Sequence, residues 1–290
     1  MANCWWRHLF FAFPKAYAVA SNAFYLAIII FIWILIFRGI SIEIRSQLVH
    51  PLWKAFWVGV FFLASLSAAL VLGAFLGNLV TGVPIDKNGT CFIPLWTYFV
   101  SSPRHGVFDA LTLLFSLLSV VSLSLHGVTF MILKTEGEIQ NQLWSVALKL
   151  WKAETILALL SIVLLFTTRH FLIAQCGQHS VGRVFFAVAA LSLLLLFFSL
   201  RKKRERLSFA CSSLFLLSAI GATAVGPYHY LLISSLDRSL SLTIFNAAAQ
   251  RSTLQKGLVW LGIGAILILG YTFIVYWGFR GKVRSDSEDY

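Results

Sequence analysis

Little in this sequence could do chemistry inside a membrane, and His126 is the main exception. It sits in an apolar run with Phe115, Leu117, Val120, Val121, Leu123 and Leu125. That run ends in a charged patch, Lys134-Thr-Glu-Gly-Glu. An ionisable group within an apolar span is costly and marks a proton or ion path, a ligand contact or a bonded packing group. Haem held by two protein ligands needs a facing pair, His with His or Met. No second histidine falls mid-span, and Met131 lies on the same stretch as His126, which is not facing geometry. There is no HExxH motif, no CxxC and no pair of carboxylates within a span. No catalytic, cofactor-binding or metal-binding residue is therefore expected of this chain. His126, Lys134 and Glu136 stand as structural or proton-path candidates. For His126, a bond to a neighbouring helix or to backbone is favoured over a place in a proton or quinone path.

These side chains are positioned by membrane helices. The chain has 290 residues, 59% hydrophobic and 12% charged, with a mean hydropathy of +0.84. Soluble domains carry about a quarter charged residues. The expectation is an all-α integral membrane protein with about seven transmembrane helices in helical bundles, one membrane domain over 1–290. The spans are placed at about 16–37, 55–80, 108–133, 155–173, 183–200, 207–232 and 257–279. Gly73 and Gly77 give the second span a G-x-x-x-G spacing, which lets another helix approach closely. Between the third and fourth spans, "NQLWSVALKLWKAE" places Leu143, Trp144, Ala147, Leu150 and Trp151 at helical spacing. It reads as a short amphipathic piece in the interface, its tryptophans at headgroup depth. Trp53, Trp57, Trp96, Tyr276 and Trp277 fit the same anchoring role. Pro227 is expected to end or kink the sixth span, with His229 near the outer surface.

The net charge of +12 reads as orientation rather than as a nucleic-acid surface. On one side of the spans lie 14 Lys and Arg residues, five of them in "RKKRER" at 201–206, against 9 on the other. The richer side stays in the cytoplasm. The N-terminus is thus expected outside and the C-terminus cytoplasmic. The start, "MANCWWRHLFFAFPKAYA", lacks the order of a cleavable signal peptide, so the first span is expected to direct insertion. Cys4, Cys91, Cys176 and Cys211 are scattered. Cys91 and Cys176 fall in expected outer loops, where a disulfide between them is conceivable and two unrelated cysteines are the plainer reading. "NGT" at 88–90 matches a glycosylation sequon, with nothing else pointing to that modification.

Five segments occur in a recognisable order: "FRGISIEIRSQ" (37–47), "GAFLGNLVTGVP" (73–84), "HGVTFMILKTEGEIQ" (126–140), "GPYHYLLISSLDRSLSLTIFNAAAQRSTL" (226–254) and "YWGFRGKV" (276–283). Together they resemble subunit II of cytochrome bd-type quinol oxidases over nearly the whole chain. The resemblance implies a haem-free subunit that binds no cofactor and stabilises a homologous, haem-bearing subunit I in the bacterial inner membrane. The complex oxidises quinol, reduces oxygen to water and takes up protons from the cytoplasm. The implied partners are subunit I, membrane lipid, the quinone pool and a small accessory peptide. The resemblance also implies that Lys134 snorkels to the inner headgroups, that Gly137 turns the chain out of the helix, and that Glu136 and Glu138 lie in water or pair locally with Lys134.

Family members have about nine spans. The part without a counterpart corresponds to the first helix and most of the second, with their acidic residues near the proposed proton route. Family-like sequence begins near Leu9, which reads as a truncated or frameshifted product, with a naturally short subunit or a separate small chain supplying the two helices as the alternatives. Two other readings stay open on the residues. One is a stand-alone multi-helix transporter, which the scarcity of intramembrane charge disfavours. The other is a truncated fragment of the oxidase subunit that does not assemble.

Overall fold

The computed structural model describes residues 12–47, 49–86, 109–168, 180–225, 228–278 and 281. Cys4, Cys91, Cys176, Trp96, Pro227 and the sequon at 88–90 lie outside them. The described residues form α1 (Pro14–Ala23), α2 (Tyr25–Gln47), α3 (Pro51–Thr81), α4 (Ala110–Lys134), α5 (Glu138–Thr168), α6 (Ser180–Arg201), α7 (Glu205–Val225) and α8 (Arg251–Gly278). A small antiparallel hairpin, β1 (Tyr230–Leu232) with β2 (Leu242–Thr243), lies between α7 and α8. All these helices except α1 are long and apolar enough to cross a membrane, so the chain is a multi-pass membrane protein.

Local chemistry sets the helix ends. Pro14 and Pro51 occupy first turns, where a missing N–H leaves no bond unmade. Asp109 caps α4, its Oδ1 accepting from the Thr112 N–H at 2.7 Å. Gly137 turns the chain between α4 and α5 at φ 80°, a conformation open to glycine without steric penalty. The α6–α7 turn reaches the same left-handed region without glycine. Lys203 sits at φ 50°. Its N–H bonds the Leu200 carbonyl at 3.2 Å and the Arg204 N–H bonds that of Ser199 at 2.9 Å, the paired bonds of a Schellman C-cap.

Helices consecutive in the chain pack as neighbours from α2 to α7, and α4 also packs on α7. Lipid is as apolar as a leucine side chain, so close fit rather than water exclusion holds such helices together. The backbones approach most closely between α3 and α4. A Cβ on Gly73 would lie 2.6 Å from the Phe115 carbonyl oxygen and the Ser116 Cα, and one on Gly77 would lie 2.9 Å from the Thr112 Cα. The G-x-x-x-G spacing thus serves helix packing, with α4 as the partner. On the side where α3 ends, Val83 bridges to Ser234 beyond β1. There Ala23, Phe24, Val83, Ile85 and Leu232 form one apolar cluster. A second cluster joins α4 to α7 through Leu125, Ile132, Trp144, Ala147, Leu196, Leu200 and Cys211. α2 buries only Ser41, and α8 buries none of its residues.

Three expectations from sequence need correction. The first span does not run over 16–37. The helix breaks at Phe24 (φ −104°, ψ 14°), whose ring turns into the apolar cluster against Phe75 at 5.1 Å. α2 then continues past the apolar stretch to Gln47, with Arg38 lying 5.5 Å over the Phe61 ring. Hydropathy marks the membrane part of a helix, not its hydrogen-bonded end. The segment 141–154 is not a separate interfacial piece. No Gly or Pro interrupts 138–168, so α5 runs unbroken. Trp144 is buried, and Trp151 donates to the Leu193 carbonyl at 3.0 Å. Both tryptophans hold helices together rather than anchor to headgroups. The sixth span ends at Val225 instead of 232, because Tyr230–Leu232 pairs as a strand.

Candidate functional site

On α4 the polar residues Thr112, Ser116, Ser119, Ser122, His126 and Thr129 recur at steps of three and four, which aligns them along one side of the helix. Thr112, Ser116, Ser122 and Thr129 are buried. On α7 Glu205, Ser208 and Ser212 repeat the pattern, and Ser208 and Ser212 are buried as well.

The two polar faces meet at His126. Its Nδ1 lies 3.0 Å from the Ser212 Oγ, which in turn lies 2.9 Å from the Thr129 Oγ1. Thr129 donates to the His126 carbonyl at 2.8 Å, and Ser212 to the Phe209 carbonyl at 2.9 Å. With its proton so placed, Ser212 accepts from Nδ1–H. The imidazole stacks on the Phe209 ring, centroids 5.0 Å apart. One turn below, Ser208 donates to Ser199 of α6 at 3.0 Å.

The carboxyl group of Glu154, near the midpoint of α5, lies beside Ser122. Glu154 is 1% exposed, and its Oε2 has no hydrogen-bond partner. Sequence reading placed this residue at the membrane entrance, before a span starting at 155, and left His126 as the sole interior candidate. The structure corrects that: the bundle encloses a carboxyl group. A signal was present. Ala147, Trp151, Glu154, Ala158 and Ser161 share a face at steps of four and three, and Lys149 and Lys152 fall off it. Both lysines are exposed, and their side chains lean toward the start of α5.

The other two candidates sit at the far end of α4. Lys134 Nζ donates to the Gly281 carbonyl at 3.2 Å, and Glu136 is exposed. Lys134 is about 12 Å along the helix from His126, so the structure does not bring them together. Gln140 ties α4 to α7 at this end. Its Nε2 is 2.9 Å from the Ile132 carbonyl, 3.0 Å from that of Thr135 and 2.7 Å from Glu205 Oε1. Among the described residues no three His, Cys, Asp or Glu side chains converge as a metal site would require. Beside the polar faces, an apolar cavity of about 540 Å³ lies among α4 to α7, lined by Phe115, Leu118, Leu165, Phe186 and Phe215. Hydroxyl groups, an imidazole and a carboxyl group so arranged can exchange protons.

The chain matches the family model for cytochrome bd terminal oxidase subunit II over residues 7–279. Cytochrome bd ubiquinol oxidase subunit 2 of Bacillus subtilis is 25% identical over 283 residues, covering 95% of this chain and 78% of the relative. Cytochrome bd-I ubiquinol oxidase subunit 2 of Escherichia coli is 24% identical over 307 residues, covering 96% and 79%. Among solved structures, the bd oxidase from Geobacillus thermodenitrificans has a similar fold, with a TM-score of 0.70 at 18% identity over 92% of this chain and 76% of that one.

Proposed function

The chain belongs to the cytochrome bd terminal oxidase subunit II family, and from that premise we propose that it is the haem-free subunit of a quinol-oxidising, oxygen-reducing complex of the bacterial inner membrane. In this reading the chain stabilises a haem-bearing subunit I, whose haems supply the electron transfer and oxygen chemistry. The observation that carries the proposal is the family match, which runs through every described helix from α1 to α8. The names of the Bacillus subtilis and Escherichia coli relatives, both ubiquinol oxidase subunits, support quinol as electron donor. The fold contributes a surface: α2 and α8 each carry an apolar span that buries almost nothing within the chain, which leaves them to a partner helix and lipid. A small accessory peptide is a further partner in this reading. The end that carries Lys134 and Arg201–Arg206 faces the cytoplasm, as its excess of basic residues favours. Lys134 and Glu136 shape the turn at that edge, and His126 ties α4 to α7.

Purification of a tagged chain from native membranes, with a visible spectrum of the eluate, tests the proposal. A larger partner and haem absorption in the eluate support it. A chain that elutes alone and colourless overturns it.

A further inference from the structure

We propose that the bundle α4–α7 holds a proton path that enters at Glu205 and ends on Glu154, with Ser208, Ser212, His126 and Ser122 as its rungs. The path depends on the oxidase reading only for where the proton goes next.

Glu154 carries the argument. Serine and threonine inside membrane helices satisfy themselves by donating to their own backbone carbonyls, as Ser212 and Thr129 do here. A carboxyl group has no such recourse. Glu154 is enclosed beside Ser122 and leaves Oε2 without a partner. An apolar side chain of similar size would pack there at lower cost, so the carboxyl group is a poor structural device. Ionisable groups kept under such conditions mark proton relays and ion pathways.

The geometry supplies a route to it. Glu205, Ser208 and Ser212 climb one face of α7, and Ser122 and His126 continue on the facing side of α4, with the crossing made by the His126–Ser212 contact at 3.0 Å. Ser122 stands about 18 Å along α4 from its Lys134 end, so the rungs reach the middle of the helix. Neighbouring rungs on one helix are about 5–6 Å apart at Cβ, a gap that one water bonded to both can bridge. Each hydroxyl group takes a proton on a lone pair and releases its own. When Ser212 turns its proton from the Phe209 carbonyl toward Nδ1, the imidazole stands in its Nε2–H tautomer, takes a proton at Nδ1 and releases one at Nε2. The net change is one proton moved from water at the Glu205 end to a Glu154 carboxylate oxygen, with no oxidant or reductant involved. Of the other titratable or charged groups on these helices, Cys211 of α7 is buried off the rungs. Lys149, Lys152 and Glu138 of α5, Arg183 and Arg201 of α6 and Arg206 of α7 are exposed. Lys134 of α4 is held at the helix end by Gly281.

The test uses the complex with its haem-bearing partner, reconstituted in liposomes that trap a pH dye. Glu154→Gln is expected to keep haem content and assembly, and to slow quinol oxidation and proton uptake together by about tenfold or more. Glu154→Asp recovers part of the loss. Turnover and uptake within about twofold of the parent in Glu154→Gln overturn the path. Should that variant not assemble, Ser122→Ala and Ser212→Ala decide: slowed uptake at full haem content supports the path, and unchanged uptake in both overturns it. A parent chain that brings no partner and no oxidase activity refutes the oxidase reading instead. Infrared titration of the chain alone then decides: a carboxylic-acid carbonyl band that titrates reversibly and is lost in Glu154→Gln upholds the path, and its absence refutes it.

Discussion

Replacing Gly73 by alanine adds one methyl group where the backbones of α3 and α4 approach most closely. The new carbon would lie 2.6 Å from the Phe115 carbonyl oxygen, 2.6 Å from the Ser116 Cα and 2.7 Å from the Ser119 Cβ. Carbon atoms settle at about 3.5–4.0 Å from their neighbours, so α3 and α4 must separate by about 1 Å. Two of the opposing atoms are backbone and cannot rotate aside. A gap of that size forfeits a quarter to a half of each contact energy across the crossing, and overpacking of this kind costs about 1–3 kcal/mol. With backbone as the obstacle, the upper half of that range, about 2–3 kcal/mol, is expected. Gly59, on the same helix with nothing within 4 Å, is the control. Alanine there keeps the packing and raises helix propensity, for a change between zero and about 1 kcal/mol of stabilisation. The two variants should therefore differ by about 3 kcal/mol. Denaturant unfolding of the purified protein in one detergent, followed by tryptophan fluorescence, measures the difference. Equal stability of the two variants, within about 0.5 kcal/mol, would refute the claim that the glycines set the α3–α4 approach.

Two further outcomes follow from single residues. Lys203→Gly should stabilise the α6–α7 turn by about 1 kcal/mol, because glycine reaches the left-handed conformation without the Cβ penalty; a rise in the thermal unfolding midpoint checks it. Trp151→Phe removes the N–H that bonds the Leu193 carbonyl but keeps a ring against Phe197, whose centroid is 4.6 Å away. A loss of about 1 kcal/mol is expected, read by the same unfolding assay, and Trp151→Leu should lose more.

The membrane class, the seven apolar spans and the family were legible in the sequence, and for one reason. Lipid imposes a length and an apolar composition on any helix that crosses it, and both are local properties of the chain. The G-x-x-x-G pair and the turn at Gly137 were legible on the same footing, since glycine at such places answers a local steric demand. What a side chain faces is not local. Lys203 adopts a glycine conformation that its residue type does not announce. Trp144 and Trp151 read as headgroup anchors until the unbroken α5 carries them against α6. Glu154 read as the polar edge of a span, because charge ordinarily marks where a helix leaves the membrane. Only the packing of α4 and α6 against α5 decides that the carboxyl group lies inside. Hydropathy sums over all faces of a helix, and the tertiary structure alone assigns one face to lipid and another to Ser122.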